Sequence, residues 1–295
     1  MKVSQLKIVL FTYLISIFNL SCQESPEKKT TNIKLSEDFK KYWYQGKAEI
    51  STYELKQNRY GEIRKGTSTL IFVTEDFVPG KQVKADQNNP DNISVLKLNS
   101  TKKFVTGVYP YSIMQSSFLP LQAEEQHALK ATASIQEWCG QTFIQLNNKS
   151  NFEIKAFSYF ESEGDQNLSL EKHYLENELW NLIRLGGSKY LPTGDFKLLP
   201  SLEFIRLKHI DIKNYDASAT INNEGNLINY KLVIPKLKRT LQIQFKAKFP
   251  YIIESWSEEV APYEPTIAKR ITTKLLPYWN LNATKDESLR KELGF

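Results

Sequence analysis

Cysteine is scarce in this chain, with two residues, Cys22 and Cys139, among 295. Secreted domains that depend on disulfides carry several pairs, so a disulfide framework is excluded. The fold must therefore rest on its hydrophobic core. The composition allows this, because 41% of the residues are hydrophobic and 12% are aromatic, enough for one large domain or two small ones.

A basic stripe is also missing. The chain has 39 basic and 33 acidic residues, but no basic run is interleaved with aromatic residues. Such a run is the usual footprint of nucleic-acid binding, so we expect no nucleic-acid partner. Lys2 and Lys7 lie in a segment that we expect to be removed, which leaves 37 basic against 33 acidic residues, a net charge of +4.

Catalytic signatures are absent as well. The sequence has no Gly-x-Ser-x-Gly elbow, no His-Glu-x-x-His helix and no Walker loop, and we expect no cofactor. Cys139 with one of the three histidines, His127, His173 or His209, is a candidate nucleophile and base. No cysteine-hydrolase signature surrounds it, so an enzyme is the less favoured interpretation.

The N-terminus has the features of an export signal. Lys2 and Lys7 precede a mostly apolar stretch of 13 residues, 8–20, and a helix of that length, about 20 Å, is too short for a bilayer core of about 30 Å. This predicts a signal peptide at 1–21. Ser21-Cys22 resembles a bacterial lipobox, which predicts lipid on Cys22. An ordinary secretory signal and an uncleaved anchor are the alternatives.

Residues 22–35 are polar and lack any apolar period, which is typical of a flexible tether. With lipid on Cys22, the expected location is a membrane, either the periplasmic face of the outer membrane or the cell surface. The membrane is then the first predicted partner.

Alternation with a period of two dominates residues 36–260. Leu129, Ala131, Ala133 and Ile135 alternate with polar residues, the pattern of a strand with one buried face. We predict a mainly β fold, a long antiparallel sheet curled into an open or half barrel. A two-sheet sandwich is the alternative.

Helical spacing occurs in two further segments. A stripe with Leu175, Leu179 and Leu182 predicts one helix over 169–185, packed on the sheet. Apolar residues four apart between 265 and 276, followed by Pro277, predict that residues 261–295 form a helical C-terminal tail. Residues 203–211 are predicted as a strand.

The corner between two predicted strands holds the candidate ligand-binding residues Glu137, Trp138, Cys139 and Gln141. Glu137 breaks the inward alternation, so it either ends the strand, forms a bulge or points into a polar cavity. The aromatic surplus of the chain either lines a pocket or fills an ordinary β core.

Glu161, Glu163 and Asp165 are weak candidates for a metal site. They alternate along a predicted strand and offer oxygen ligands for a hard cation such as Ca²⁺. The EF-hand spacing and its glycine are missing, so a solvated strand end is the favoured interpretation.

Seven stretches, covering nearly the whole mature chain, resemble an uncharacterised family of Bacteroidetes lipoproteins: Tyr42-Trp43, Ala48-Glu49-Ile50, Tyr109-Pro110-Tyr111-Ser112, Gln136-Glu137-Trp138-Cys139-Gly140-Gln141, Tyr159-Phe160-Glu161-Ser162-Glu163, Leu175-Glu176-Asn177-Glu178-Leu179-Trp180 and residues 278–294. Members often bear the label septum formation inhibitor Maf. True Maf proteins are cytoplasmic nucleotide pyrophosphatases with a Ser-x-Ser-Pro-Arg-Arg loop. That loop is absent here, so the resemblance implies a lipoprotein and not a pyrophosphatase.

Three functions are compatible with these features. The favoured one is a lipid-anchored envelope module that binds an apolar or glycan ligand, or a partner protein, in the concave face of the sheet. The second is an envelope hydrolase that uses Cys139 or carboxylates near Glu137. The third is a purely structural envelope component. A cavity separates the first from the third, because a core filled by its own side chains leaves no room for a ligand.

Cys22→Ser tests the predicted anchor. Several acyl chains, at about 0.8 kcal/mol per buried methylene, hold a protein far more firmly than one chain does. We therefore expect the variant to move from the membrane pellet to the soluble fraction in ultracentrifugation. The parent protein is the control, and a variant that stays in the pellet would remove the lipoprotein hypothesis.

Overall fold

The computed structural model describes residues 35–121 and 127–295. The predicted signal peptide, Cys22 and nearly all of the predicted tether lie outside these residues. Within them, all sixteen strands belong to a single sheet. A mainly β fold is confirmed, and the alternative of two packed sheets is not what forms.

The strands, in chain order, are β1 Ala48–Arg59, β2 Glu62–Val78, β3 Val83–Lys84, β4 Ile93–Thr106, β5 Tyr109–Pro120, β6 Lys130–Glu137, β7 Gly140–Asn148, β8 Phe152–Ser158, β9 Gln166–Leu170, β10 Tyr174–Leu175, β11 Gly194–Leu199, β12 Tyr215–Glu224, β13 Leu227–Ile234, β14 Arg239–Lys246, β15 Ile253–Val260 and β16 Thr266–Leu276. The helices are α1 Glu37–Trp43, α2 Glu176–Gly186, α3 Leu202–Lys208 and α4 Leu289–Glu292.

The sheet runs in the order β10-β11-β12-β13-β14-β15-β16-β1-β2-β4-β5-β6-β7-β8-β9, with β3 paired to one end of β2. Neighbours are antiparallel except β10 and β11, which are parallel. The two edge strands, β9 and β10, are consecutive in sequence and are separated only by residues 171–173. The edges therefore approach each other, but the sheet does not close.

Helix α2 shows how strongly the sheet curls. Ser117 on β5 donates to Asn181 Oδ1 at 2.5 Å, and Arg239 on β14 donates to Glu176 Oε1 at 2.7 Å. These strands are six positions apart in the sheet, about 29 Å if it were flat. A helix is about 10–12 Å wide, so α2 meets both strands only because the sheet curls around it. The predicted open, half-barrel-like sheet is confirmed.

The alternation predicted from the sequence matches the residues that are buried in the core. Ala131, Ala133 and Ile135 of β6 are buried, as are Leu241 and Ile243 of β14. Their neighbours on the other face are partly or fully exposed. The concave face thus holds the apolar side chains together with α2 and α3, and the convex face meets water.

The helix predicted over 169–185 begins later than expected, at Glu176. Residues 166–170 form β9, which pairs with β8 from Phe152↔Leu170 to Ala156↔Gln166. The helix begins later because Leu168 and Leu170 follow the period of two that is typical of a strand. The apolar stripe with helical spacing starts only at Leu175. The predicted end is close, with Gly187 in the left-handed region at φ 63°.

The predicted helical tail is wrong over its first part. Residues 266–276 form β16, which pairs with β1 in the middle of the sheet. Apolar residues four apart share a face in a helix and also in a strand, so the spacing of Ile267, Ile271 and Leu275 does not separate the two. Only the residues from Tyr278 onward are helical, in two 3₁₀ turns and α4.

A second buried helix, α3, replaces the strand predicted at 203–211. Ser201 caps it by accepting the backbone N–H of Phe204 at 3.2 Å. Leu202, Phe204 and Ile205 are buried around it. The fold therefore packs two helices, α2 and α3, on its sheet where one was predicted.

Leu179→Ala tests whether α2 is part of the core. Leu179 is fully buried at the centre of the helix. We expect the free energy of unfolding to fall by about 2–5 kcal/mol, because truncation leaves a cavity. Denaturant melts measure this, with exposed Val108→Ala as a control that should change by less than about 0.5 kcal/mol. A Leu179→Ala melt that overlays the parent's would instead make α2 a loosely held lid.

Candidate functional site

Helix α2 is buried on nearly every side, although five of its eleven residues are polar: Glu176, Asn177, Glu178, Asn181 and Arg184. A buried charge or amide is costly unless it is paired. Each of the five finds a partner on a neighbouring segment. The position of α2 is therefore fixed by polar contacts as well as by apolar packing.

Arg184 and Glu49 form a fully buried ion pair between α2 and β1. The guanidinium of Arg184 donates to both carboxylate oxygens of Glu49. Tyr42 also donates to Glu49, at 2.5 Å, and Arg184 Nε donates to the carbonyl of Pro250 at 2.9 Å. The Trp43 ring lies 5.2 Å from the guanidinium carbon. This cluster joins α1, α2 and the centre of the sheet.

A second polar cluster lies at the N-terminal end of α2. Arg239 donates to both oxygens of Glu176 and, at 2.5 Å, to Glu258. On the other side, Lys102 donates to Glu203 of α3 at 2.8 Å. The Glu203 carboxylate also accepts from Gln115 at 2.9 Å. These contacts connect β4, β5, β14, β15 and both helices around one space.

That space, called here the central cavity, has a volume of about 50 Å³, room for a few water molecules. Its charged lining residues are Arg59, Lys102, Glu176, Glu203, Lys208 and Glu258. Its apolar lining residues are Leu70, Leu98, Trp180, Phe204, Leu207, Leu241 and Trp256. Trp180, Lys208 and Glu258 are partly exposed, so the cavity reaches the surface beside them.

The pKa values of two carboxylates in the cavity move in opposite directions. Burial raises the pKa of Glu203 above its ordinary value, and Lys102 offsets this only in part. Burial acts on Glu258 in the same direction, but Arg239 and Lys102 outweigh it, so its pKa lies below the ordinary value. Opposed shifts are typical of functional sites. Because each carboxylate is already bound to a cation, the arrangement suits ligand positioning more than proton transfer.

The Oε1 atom of Gln57 has no hydrogen-bond partner among the described residues, and Gln57 is 3% exposed. The Nε2 atom of the same amide donates to the carbonyl of Asn58 and to Thr266 Oγ1, both at 3.1 Å. Asn58 also has an unpartnered buried atom, Nδ2, but it follows Gln57 in β1, so its side chain points to the opposite face of the sheet. An unsatisfied buried polar atom costs about 1–3 kcal/mol, so Gln57 Oε1 is ready to bind water or a ligand in the cavity.

The alternation of β1 by itself indicates that Gln57 and Arg59 face the core. Tyr53 and Leu55 of β1 face the core, and Gln57 and Arg59 continue the same face by alternation. Polar residues at positions where a core residue is expected mark either an error or a function. The residues of α2 and α3 that line the same cavity have no such local signal, because they are far from β1 in sequence.

The ligand-binding residues predicted from the sequence lie outside the central cavity. Trp138 and Cys139 form the tight turn between β6 and β7, Glu137 ends β6 and is paired to Gly140, and Gln141 lies in β7, paired to Gln136. Trp138 is 70% exposed, and Cys139 is exposed too. None of the four lines the central cavity. Glu137 ends the strand by accepting the N–H of Cys139 at 2.6 Å, so it does not point into a cavity.

Cys139 is poorly placed as a nucleophile. A hydrogen bond from its thiol to Glu137, and the charge of that carboxylate, raise the thiol pKa. Less thiolate is therefore present at neutral pH. His127 and His209 are engaged with other residues, since they hydrogen-bond Glu178 and Glu163.

The three acidic residues proposed as metal ligands lie in the loop between β8 and β9 and not along a strand. Glu163 accepts from Ser158 Oγ at 2.6 Å and from His209 at 2.7 Å. Asp165 accepts the N–H of Ser158 at 3.3 Å, and Glu161 is exposed. Residues 35–121 and 127–295 contain no group of three or more His, Cys, Asp or Glu that could hold a metal ion.

Exposed aromatic residues cluster at one end of the sheet. Successive hairpin turns of an antiparallel sheet alternate between its two ends, so the β1–β2, β6–β7, β8–β9 and β15–β16 turns share an end. Each carries one exposed aromatic residue: Tyr60, Trp138, Tyr159 and Tyr263. We call these four the aromatic rim. The rim adjoins the cavity, because Arg59 stacks on Tyr60 at 4.3 Å and Lys208 lies 5.8 Å from the Tyr263 ring.

Comparisons with known proteins found no matching protein family, no matching curated protein and no matching solved structure. Among the described residues, no helix has the length and apolar character needed to span a bilayer. The function of the central cavity and the aromatic rim therefore has to be inferred from the residues that form them.

Arg184→Met tests the buried ion pair. We expect the free energy of unfolding to fall by about 3–5 kcal/mol, because Glu49 would remain charged and buried without its partner. Arg270→Met is the matched control. Its pair with Glu254 is partly exposed, and pairs near the surface contribute about 1 kcal/mol or less.

The double variant Glu49→Leu/Arg184→Met completes the test. Replacing both charges removes the uncompensated one, so urea melts should show a smaller loss than for Arg184→Met alone. A double variant less stable than the single one would mean that the pair's geometry, and not its charge balance, holds α2 in place.

Proposed function

We propose that this protein is a lipid-anchored binding protein of the cell envelope, and that its ligand is a glycan bound at the central cavity and the aromatic rim. The observation that carries the proposal is the unpartnered Gln57 Oε1 atom, on the core face of β1 in a cavity that reaches the surface. A filled interior, as a purely structural component would have, leaves no such space.

The lining favours a glycan over an apolar ligand. An apolar molecule would displace water from the charged groups of the cavity without replacing its hydrogen bonds. Sugar hydroxyls both donate and accept, so they match an amide oxygen, carboxylates and an ammonium together. Trp180 and Trp256, with ring centroids 5.2 Å apart and planes at 84°, supply the apolar surface that the faces of a sugar ring need.

The aromatic rim extends the site beyond the cavity. Exposed tyrosine and tryptophan give large contact areas at a low cost in conformational entropy. A chain of several sugars seated at the cavity would continue over Tyr60 and Tyr263, the rim residues that contact Arg59 and Lys208. A partner protein is the alternative occupant of the rim.

Titration of the detergent-extracted full chain with a panel of neutral, amino and acidic oligosaccharides tests the proposal. Calorimetry should detect saturable binding to at least one class. Trp180→Ala should weaken that binding by at least tenfold, because stacking surface in the cavity is lost. Trp279→Ala removes an exposed tryptophan from the C-terminal tail and should leave the affinity unchanged.

Two results would overturn this proposal. The first is the absence of binding across the whole panel by a chain whose thermal melt shows it to be folded. The second is equal binding by Trp180→Ala. Chromatography of the recovered sugar covers the hydrolase alternative, because an intact oligosaccharide supports binding and cleavage supports an enzyme.

A further inference from the structure

Exposed apolar side chains are concentrated on the convex face of strands β4 to β8. Met114, Phe143 and Phe157 are 43%, 38% and 49% exposed. The register places them in one row across the sheet, since each is paired with the next either directly or through Ser134. Directly paired residues of an antiparallel sheet project from the same face, so the three side chains form a continuous apolar strip.

The strip continues onto the turns at the end of the sheet that carries the aromatic rim. Val108, in the β4–β5 turn, is 81% exposed. This turn contacts the β6–β7 turn, because the rings of Tyr109 and Trp138 have centroids 6.4 Å apart. Tyr159 packs in turn on Gly140, where an added Cβ would lie 2.9 Å from its ring. We call the exposed apolar side chains of these strands and turns the convex patch: Val105, Val108, Met114, Trp138, Phe143, Phe157 and Tyr159.

The convex patch is large for a surface that nothing covers. Its four aromatic side chains, which are 38–71% exposed, present roughly 500 Å² at about 150–250 Å² for each whole side chain. Val105, Val108 and Met114 add to this area. The largest apolar patch on a typical monomer is about 300–600 Å², and patches of this size mark contacts with a protein or a membrane.

A second copy of the chain is a poor fit to this surface. The patch lies on the outside of a curled sheet, and two convex surfaces touch only along a narrow strip. Stable protein interfaces bury about 800 Å² on each partner, more than such a strip supplies. Strands β4 to β8 also have neighbours on both sides, so the patch offers no free edge to which a partner strand could pair.

A lipid surface fits both the shape and the composition of the patch. Side chains on protruding turns enter a bilayer one by one and need no matching pocket. Tryptophan and tyrosine, which have an apolar body and a polar tip, concentrate at the interface between lipid and water. Trp138 and Tyr159 lie at the turns, and Val108 and Phe157 beside them supply the purely apolar surface.

The charges around the patch indicate which kind of lipid surface. Lys103 and Lys155 are exposed on the same face, at the two sides of the patch. Lysine stems lie along apolar surface while their ammonium groups stay among the headgroups. Glu161 and Asp165, exposed in the β8–β9 loop, balance these two cations. The local net charge is therefore near zero, which suits a zwitterionic surface.

We propose that the convex patch docks on the surface of a zwitterionic lipid bilayer, with Val108, Trp138 and Tyr159 at headgroup depth. This contact goes beyond the proposed function, because it is made by the folded domain itself and fixes the orientation of that domain on the membrane. Tyr60 and Tyr263, the rim residues beside the central cavity, lie outside the patch and remain available to a glycan.

The fluorescence of Trp138 tests the proposal on the full chain. The chain is bound to phosphatidylcholine vesicles that carry a nitroxide just below the headgroup, which quenches only nearby indoles. The difference between the parent and Trp138→Phe gives the emission of Trp138, and we expect it to fall by at least half relative to unlabelled vesicles. Trp279→Phe gives the matched control, because Trp279 is exposed near the opposite end of the sheet and should not be quenched.

Two results would overturn the proposal. One is a Trp138 emission that the nitroxide leaves unchanged, and the other is quenching of Trp138 no stronger than that of Trp279. The oligosaccharide titration is a separate measurement, so a chain that binds no sugar but shows quenched Trp138 would lose the proposed function and keep this one.

Phe143→Thr/Phe157→Thr tests the strip next to the turns. Threonine keeps a high strand propensity but removes the apolar surface, so the quenching of Trp138 should fall at least twofold while oligosaccharide binding and the thermal melt stay as in the parent. Ile271→Thr, which alters an exposed residue of β16, is the control and should leave the quenching unchanged. Unchanged quenching in the folded double variant would contradict the role of the strip. A dimer of the parent in light scattering that this variant dissociates would assign the patch to a second copy and overturn the lipid contact.

Discussion

The need to pair every buried charge of α2 governs this structure. A helix with five buried polar side chains is unstable inside an apolar core, and the sheet supplies its partners from strands on both sides. Glu49 on β1 and Arg239 on β14 meet opposite ends of the helix. The sheet must curl around α2 to make these contacts at once, so the shape of the fold and its buried ion pairs depend on each other.

The central cavity follows from this arrangement. Space remains where α2, α3 and the strand ends meet, and charged side chains of both helices and of β4 and β15 line it. The Oε1 atom of Gln57 there has no hydrogen-bond partner among the described residues. The same polar chemistry that positions the helix thus leaves a site for an external group, and the exposed turns beside it provide aromatic surface.

Much of the sheet could be predicted from the sequence because strand formation leaves a local signal. The alternation in β6 and β14 is explicit, and the cap of α1 at Ser36 is also local, with Phe39 N–H donating to Ser36 Oγ at 3.1 Å. The failures occurred where local patterns are ambiguous. Residues four apart share a face in both a helix and a strand, which is why β16 was predicted as helical. Residues 202–208 form α3 instead of the predicted strand, with a local cap at Ser201 and hydrogen bonds from the distant Lys102 and Gln115 to Glu203.

The sequence by itself determined the strand-rich fold and the scarcity of cysteine, because each depends on composition or on residues close together in the chain. The tertiary structure alone decided the candidate site. Glu49 and Arg184 are 135 residues apart, and Lys102 and Glu203 are 101 apart. No local pattern links such pairs. Only the curl of the sheet brings them into contact, and it leaves the Glu137–Gln141 turn exposed while enclosing residues that looked like an ordinary strand end.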